Sequence, residues 1–432
     1  MSMMYQCYDR TALKAEPGRH YVGKWRIDYI AFSLPENAHK VPLVVLGGAF
    51  QNFNSYKFCV ERIQVDFPVI LVDMPSLGNN DQLAPELGME DLADLLHEFV
   101  VQMGLPKVSL MGLSLGSVIA STFAYKHPRL AEKLIVAGII PKPRKAWRML
   151  LEESVRVLDE QRMQEFGQAV VLYLVNYGKL EETGITSTAR RLFQRQMAHF
   201  SENEQARYRI NAARLLEVEG ILGYPKCETL VTTGEYDSFT LPHENGAFAA
   251  KCPNGRFVLI EGADHLPQLE RRDESLELFS AFLRGAPLDQ VAGVRVLSKH
   301  DIGALERRAH LRLVPCNSIG HVTSESKIGD AFRFDQPVRI VDISFFGCCL
   351  ELQAPVHSLA EHTRDLTLYL ESPMFTRDLL VFDYNEQGLM RCIFKHGNIA
   401  LAEEFAGLLK NPAFFIRKPV SEADRLAVRR IY

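Results

Sequence analysis

The sequence predicts an α/β domain, with a mostly parallel sheet and a helical cap, followed by a small antiparallel β-barrel. Three observations carry that expectation. Strand-like and helix-like segments alternate from about residue 20 to 284. At 142–222 the alternation gives way to helical periodicity alone. After Gly285-Ala286-Pro287 the chain turns to short β-branched segments separated by turn residues. The 432 residues leave room for two or three domains and for a sizeable core.

Taken in order, Tyr21–Phe32 reads as a β-hairpin. Leu43–Leu46, Val69–Val72, Val108–Met111 and Leu134–Ile139 are short apolar runs ending at Gly47, Asp73, Gly112 and just before Pro141. Runs apolar at every position suit parallel strands covered on both faces. Helical patterns at Met89–Met103 and Leu115–His127 lie between them, and repeated βα units imply a parallel sheet. The helical stretch 142–222 reads as a cap over the strand ends, with extra scaffold helices as the plainer alternative. Within it Ala169–Tyr177 is markedly apolar, a segment for the core between cap helices or for an acyl-binding wall. The rhythm resumes at Thr229–Thr232 and Arg256–Ile260 and closes with a helix near Asp273–Leu283. Beyond the boundary, Arg339–Ile343, Leu366–Leu370, Leu379–Phe382 and Met390–Phe394 read as strands of a small barrel, with a final helix at Ala400–Leu409. The expected division is 1–285, with the cap at about 142–222, a linker at 286–299, and a second domain at 300–432.

Composition excludes several classes of function. Net charge is −4, and from Ala286 onward 18 Lys and Arg balance 18 Asp and Glu, so the basic excess of a nucleic-acid binder is missing. No apolar run reaches the length of a membrane span. The opening Met1–Arg10 is polar and lacks a signal-peptide core, which gives the cytoplasm as the expected location. The eight cysteines are scattered without a Cys-x-x-Cys pair; reduced thiols and no metal site are expected.

Gly112-Leu113-Ser114-Leu115-Gly116 fits Gly-x-Ser-x-Gly between a strand and a helix. The pattern serves a sharp turn that lifts the serine hydroxyl above the sheet, with small neighbours to avoid clashes. A nucleophilic serine needs a base, and the base an orienting acid. Asp237 and His265 each lie just past a strand end, where such a sheet gathers its site. Glu235 is a rival acid; Asp264 is poorly placed, since an adjacent residue can hardly face the same imidazole. An oxyanion hole needs two convergent amides. One is expected from Leu115, the residue after the nucleophile. The other is expected from Ala49, in Gly47-Gly48-Ala49-Phe50.

With these motifs in place, residues 20–284 resemble the α/β-hydrolase superfamily. Within it Gly48-Ala49, Asp73-Met74-Pro75-Ser76-Leu77-Gly78, Glu204-Gln205-Ala206-Arg207-Tyr208, Gly234-Glu235-Tyr236-Asp237 and Glu261-Gly262-Ala263-Asp264-His265 are similar to the synthase of the hydroxyalkanoyloxy-alkanoate half of rhamnolipids. That resemblance puts the triad on Ser114, Asp237 and His265. The elbow itself departs from it and is closer to a generic esterase.

Arg307 and Arg308 are followed by Arg312, giving Arg-x-x-x-Arg at 308 and 312; thirty positions later Asp342-Ile343-Ser344-Phe345-Phe346-Gly347 fits Asp-x-Ser-x-x-Gly. Both motifs in this order, on a barrel-like domain, resemble the PilZ domain over roughly 300–410. The resemblance implies a receptor for cyclic di-GMP. The residue chemistry agrees: guanidinium forks bind phosphate and the guanine edge and stack on bases. Asp342 and Ser344 share one face of a strand and are placed to hydrogen-bond the ligand, and Gly347 allows close backbone approach. The expected function is a cyclic di-GMP-responsive serine esterase, thioesterase or acyltransferase on an ester or thioester with an apolar acyl chain. The alternative is a cyclic di-GMP receptor whose hydrolase-like domain is a binding scaffold.

Overall fold

The computed structural model of the protein describes residues 3–9, 11–308, 310–324, 334–353 and 365–418. The chain separates into two compact units, divided near residue 309, with the short segments Lys145–Leu150 and Gln168–Leu172 grouped with the second.

The first unit is built on a nine-stranded sheet. Its strands are β1 (Gly18–Val22), β2 (Trp25–Phe32), β3 (Leu43–Leu46), β4 (Val69–Asp73), β5 (Val108–Leu113), β6 (Ala131–Ala137), β7 (Glu228–Gly234), β8 (Gly255–Ile260) and β9 (Val294–Leu297), in the order β1-β2-β4-β3-β5-β6-β7-β8-β9. β4 to β8 run parallel, while β1, β2 and β9 pair antiparallel at the edges. The hairpin β1–β2 turns at Gly23, whose φ of 59° a side chain would resist.

The continuous apolar runs find their explanation in the two faces. Val44 and Leu46 of β3, with Ile70 and Val72 of β4, join one buried cluster; Leu43, Val45, Val69 and Leu71 join the other. Helices α2 (Met89–Gln102), α3 (Leu115–Lys126) and α8 (Pro242–Lys251) pack on the first face, and α1 (Lys57–Ile63) and α10 (Arg272–Arg284) on the second. Each fully buried Val, Leu or Ile contributes about 1.5–3 kcal/mol, so the double coverage makes these strands the anchor of the site.

Between β6 and β7 the chain forms helices α4 (Lys145–Asp159), α5 (Met163–Leu174), α6 (Ser187–Ala198) and α7 (Glu202–Glu217), and no strand. Three side chains one face apart on α7 tie it to the loop after β4. The Arg207 guanidinium donates to the Gly78 carbonyl, Asn211 Nδ2 to Ser76 O at 2.8 Å, and Arg214 to Pro75, Ala84 and Leu87 carbonyls at 3.3, 2.8 and 2.7 Å. Burial lowers the Arg214 pKa to about 10.

The stretch 286–299, expected as a linker, departs from that expectation. Its strand β9 pairs with β8, from Phe257↔Leu297 to Ile260↔Val294, and the short helix α11 (Lys299–Ala304) follows, with Ile302 packed on the first cluster. The sheet takes one more strand because β8 would otherwise leave its ladder groups unpaired at the edge.

The second unit is a closed antiparallel barrel. Strands β10 (Leu313–Pro315), β11 (Ile319–Ser324), β12 (Phe334–Ser344), β13 (Gly347–Leu352), β14 (Asp365–Glu371), β15 (Met374–Tyr384), β16 (Leu389–Phe394) and β17 (Phe415–Arg417) take the order β11-β14-β15-β16-β13-β12, and β12 pairs back to β11. β10 and β17 extend β12 outside the ring. Val338, Ile340, Leu350, Leu368, Met390 and Phe394 alternate into the interior. Helix α12 (Ile399–Leu409) adds Phe405, stacked on Phe375 at 4.8 Å between ring centroids. Residues beyond 418, expected as a C-terminal extension, lie outside the described residues. All eight cysteines are free, and no helix among the described residues is long and apolar enough to cross a membrane.

Candidate active site

Ser114 sits between β5 and α3 with φ 49° and ψ −115°, a conformation that side chains rarely adopt. Its glycine neighbours are required by packing. A Cβ on Gly112 would fall 2.4 Å from the Gly116 carbonyl oxygen, and a Cβ on Gly116 would fall 2.3 Å from that of Leu46 on β3. The turn therefore holds the hydroxyl above the strand ends.

His265, just after β8, brings Nε2 to 3.2 Å from Ser114 Oγ. Its Nδ1 lies 2.9 Å from Asp237 Oδ2. Thr233 and Thr240 hydroxyls donate to the same oxygen, each at 2.6 Å, and the amides of Phe239 and Thr240 donate to Oδ1 at 2.8 and 2.7 Å. Asp237 is buried, and burial pushes its carboxyl up; the His265 charge, the His265 hydrogen bond and the two threonines outweigh burial and leave it below the ordinary range. Burial pulls His265 down, but the Asp237 charge, its hydrogen bond and the Asp264 charge leave the imidazole above its ordinary value. Gly138, at φ 72°, makes room: a Cβ there would lie 3.1 Å from His265 Cε1.

The two competing acids turn elsewhere. Glu235 pairs with Arg295 of β9 at 3.0 Å and accepts from the Gly262 amide at 3.3 Å. Asp264 accepts from the Asn176 amide at 2.9 Å and the Leu266 amide at 3.2 Å, while its own amide donates to Glu270 Oε2 at 2.6 Å. Burial and the Asp264 carboxyl beside it push Glu270, on the short helix α9 (Pro267–Glu270), above the ordinary carboxylate range.

The loop after β3 passes beside Ser114, since a Cβ on Gly48 would lie 3.3 Å from Ser114 Cβ. Gly48 N is occupied by Gln51 Oε1 at 2.8 Å. Leu115 opens α3, where a helix has no internal partner for its first amides, and Ala49 is the next amide of the neighbouring loop. A cleft opens beside this loop, lined by Phe50, Phe200 and Tyr208 and, among its polar residues, Asn52, Asn79 and Arg207. Phe50 stacks on Tyr208 at 5.7 Å and 12°. Ala169–Tyr177, weighed as an acyl wall, does not line this cleft; Val171, Leu172 and Val175 are fully buried.

In the barrel, Arg312, Asp342, Ser344 and Gly347 come together. Arg312 Nη1 lies 3.1 Å from Asp342 Oδ1, and Ser344 Oγ donates to the Gly347 carbonyl at 3.1 Å. The motif is not one strand: Asp342 and Ser344 end β12, Phe345 and Phe346 turn, and Gly347 opens β13 opposite Ser344. Gly347 is needed by the barrel itself, because a Cβ there would lie 2.2 Å from the Cys392 carbonyl on β16. Arg307 and Arg308 belong to the first unit, where both backbone amides donate to Glu306 Oε1. A residue the motifs did not point to joins the group: Lys418 Nζ lies 2.7 Å from Asp342 Oδ2.

The α/β hydrolase fold family model matches residues 41–272, more than half of the chain. A relative from Acinetobacter baylyi, (E)-2-((N-methylformamido)methylene)succinate hydrolase, is 22% identical over 268 residues, spanning 58% of this chain and 94% of that protein. An α/β-hydrolase enzyme from a Medee basin deep-sea metagenome library superposes with a TM-score of 0.55 at 18% identity, covering 62% of this chain and 96% of that one. A malate-bound thermophilic esterase from Thermogutta terrifontis gives 0.53 at 23% identity, covering 63% and 99%.

Proposed function

The chain belongs to the α/β-hydrolase fold family, and we propose that it is a serine esterase, thioesterase or acyltransferase, with its barrel domain bringing it under the control of cyclic di-GMP. The observation that carries the enzymatic half is the contact series Ser114 Oγ–His265 Nε2 at 3.2 Å and His265 Nδ1–Asp237 Oδ2 at 2.9 Å. Ser114 Oγ attacks the acyl carbon while its proton passes to His265 Nε2. The carbonyl oxygen gains the negative charge, held by the Leu115 and Ala49 amides. Collapse expels the alcohol or thiol, which takes the proton from His265. Water, or an acceptor hydroxyl, then repeats the sequence on the acyl-enzyme. Phe50, Phe200 and Tyr208 offer an acyl chain apolar contact within a cleft whose lining is otherwise mostly polar, from Gln51, Asn52, Asn79, Glu204 and Arg207.

A fluorophosphonate tests this half. Mass spectrometry should place the adduct on Ser114, and Ser114→Ala should lose about five to six powers of ten in turnover. Ser117, the other serine of the turn, is fully buried and donates to the Gly112 and Ala137 carbonyls. A label on Ser117, or none, would refute the assignment and favour a scaffold role for this domain.

The regulatory half reads the barrel as a PilZ-type domain. Support comes from the grouping of Arg312, Asp342, Ser344 and Gly347 at one end of the β12–β13 hairpin. The guanidinium suits phosphate and guanine O6/N7, and the carboxylate suits the guanine N–H donors. Calorimetry on the full chain should show cyclic di-GMP binding that Arg312→Ala removes. No heat at roughly 50 µM ligand, equivalent to about −6 kcal/mol, would refute it.

A further inference from the structure

Lys418 stands 76 residues from Asp342 in the chain, yet its ammonium is the nearer of two cations on that carboxylate. Its place is built. β17 pairs antiparallel with β10 through Leu313↔Arg417, Val314↔Ile416 and Pro315↔Phe415, and Phe415 is buried. Just past the last pair, the Lys418 amide donates to the Arg312 carbonyl at 3.0 Å. The two cations are therefore neighbours held by one ladder.

Asp342 lies between them, with Arg312 Nη1 at 3.1 Å from Oδ1 and Lys418 Nζ at 2.7 Å from Oδ2. The carboxylate is 13% exposed, the cations 33% and 27%. An ammonium has three donors and a guanidinium five, so each cation keeps donors to spare on its open side. The charge balance decides what the group can bind. Arg312 and Asp342 alone cancel in formal charge. Lys418 supplies the surplus positive charge.

We propose that Lys418 is a ligand-binding residue of the barrel, pairing with a phosphate of a guanine dinucleotide while Asp342 accepts the base's N–H donors. This rests on reading the barrel as a cyclic di-GMP receptor. Lys418 gives up its contact with Asp342 as the guanine edge arrives and turns to the phosphate beside it. Arg312 keeps its place between the base and the backbone carbonyl of Gly347, 3.5 Å away.

The test is calorimetry of the full chain with cyclic di-GMP, for wild type, Lys418→Ala, Lys418→Gln and Lys418→Arg, with thermal unfolding to show that each variant is folded. Lys418→Ala and Lys418→Gln should weaken binding by about 10- to 100-fold, the worth of a hydrogen bond to a charged group. Lys418→Arg should stay within about threefold, since the charge is kept. Wild-type affinity should fall more steeply with added NaCl than that of Lys418→Ala. A wild type that does not bind refutes the receptor reading, and this proposal with it. A wild type that binds, with Lys418→Ala equal to it, refutes the proposal alone. Tighter binding by Lys418→Ala also refutes it, because Lys418 would then act as a clasp that competes for Asp342.

Discussion

Replacing Asp237 by asparagine removes one charge and almost no volume, and the surrounding hydrogen bonds dictate how the amide must sit. Oδ1 accepts from two backbone amides, of Phe239 and Thr240, at 2.8 and 2.7 Å, and those donors cannot be reversed. The asparagine oxygen must take that side. Its NH2 then takes the place of Oδ2, where one of the Thr233 and Thr240 hydroxyls can rotate to accept one of its two hydrogens. The same NH2 faces His265 Nδ1 at 2.9 Å and donates to it. A neutral imidazole that accepts at Nδ1 carries its proton on Nε2, which points at Ser114 Oγ 3.2 Å away. The base is then occupied by the wrong proton. The expected loss in kcat is about 10⁴-fold, equivalent to about 5.5 kcal/mol of barrier. Steady-state hydrolysis of a p-nitrophenyl ester and the rate of fluorophosphonate labelling at Ser114 measure it independently of substrate binding. Glu235→Gln is the control. It should cost only a few-fold, because Glu235 faces Arg295 and Gly262. An Asp237→Asn enzyme within tenfold of wild type, or an equal loss in Glu235→Gln, would refute the tautomer argument.

Three further outcomes are expected. Since His265 must be neutral to accept the serine proton and its pKa is raised above 6.5, kcat/KM should fall on the acid side with a midpoint above 6.5; a midpoint below that value contradicts the ion-pair account. Gly116→Ala, which in an open helix would stabilise by about 1 kcal/mol, should instead lower the unfolding temperature by several degrees, because the new Cβ meets the Leu46 carbonyl at 2.3 Å; differential scanning calorimetry showing an unchanged or higher transition counts against the packing argument. Saturating cyclic di-GMP should change ester hydrolysis by about 5- to 150-fold in wild type and not in Arg312→Ala; identical kinetics would confine the ligand to a role outside catalysis.

Much of the first unit was legible because its strands are double-faced. Leu43–Leu46 and Val69–Val72 are apolar at every position since each side meets a helix layer, and such runs admit few other readings. The contacts among Ser114, His265 and Asp237 were legible because chain order and strand ends constrain them. What escaped depended on neighbours far away in the chain. β9 is only four residues, Val294–Leu297, with Arg295 and Val296 both exposed, too short a run to stand out, and pairing with the edge of β8 makes it a strand. The hairpin turn centres on Phe345 and Phe346, which are not turn-forming residues, and only the flanking Ser344 and Gly347 mark it. Its aromatic rings are explained by a buried pocket: His396 stacks on Phe345 at 4.5 Å and its Nε2 lies 2.7 Å from the Phe345 carbonyl. Lys418 follows a three-residue ladder with β10, too short to leave a pattern.

β9 also bears on how the first unit would behave if cut free. A chain ending at Gly285, the boundary suggested by the Gly-Ala-Pro signal, keeps every residue of the triad but leaves Phe257–Ile260 with an open ladder edge. That edge is four residues of buried apolar strand with no proline or charged side chain to interrupt it. Such an edge is a template for a second copy of itself, and self-association through it competes with solubility. A fragment ending after α11 keeps β9 as a built-in guard, with Arg295 on the outermost strand as the charge that discourages stacking.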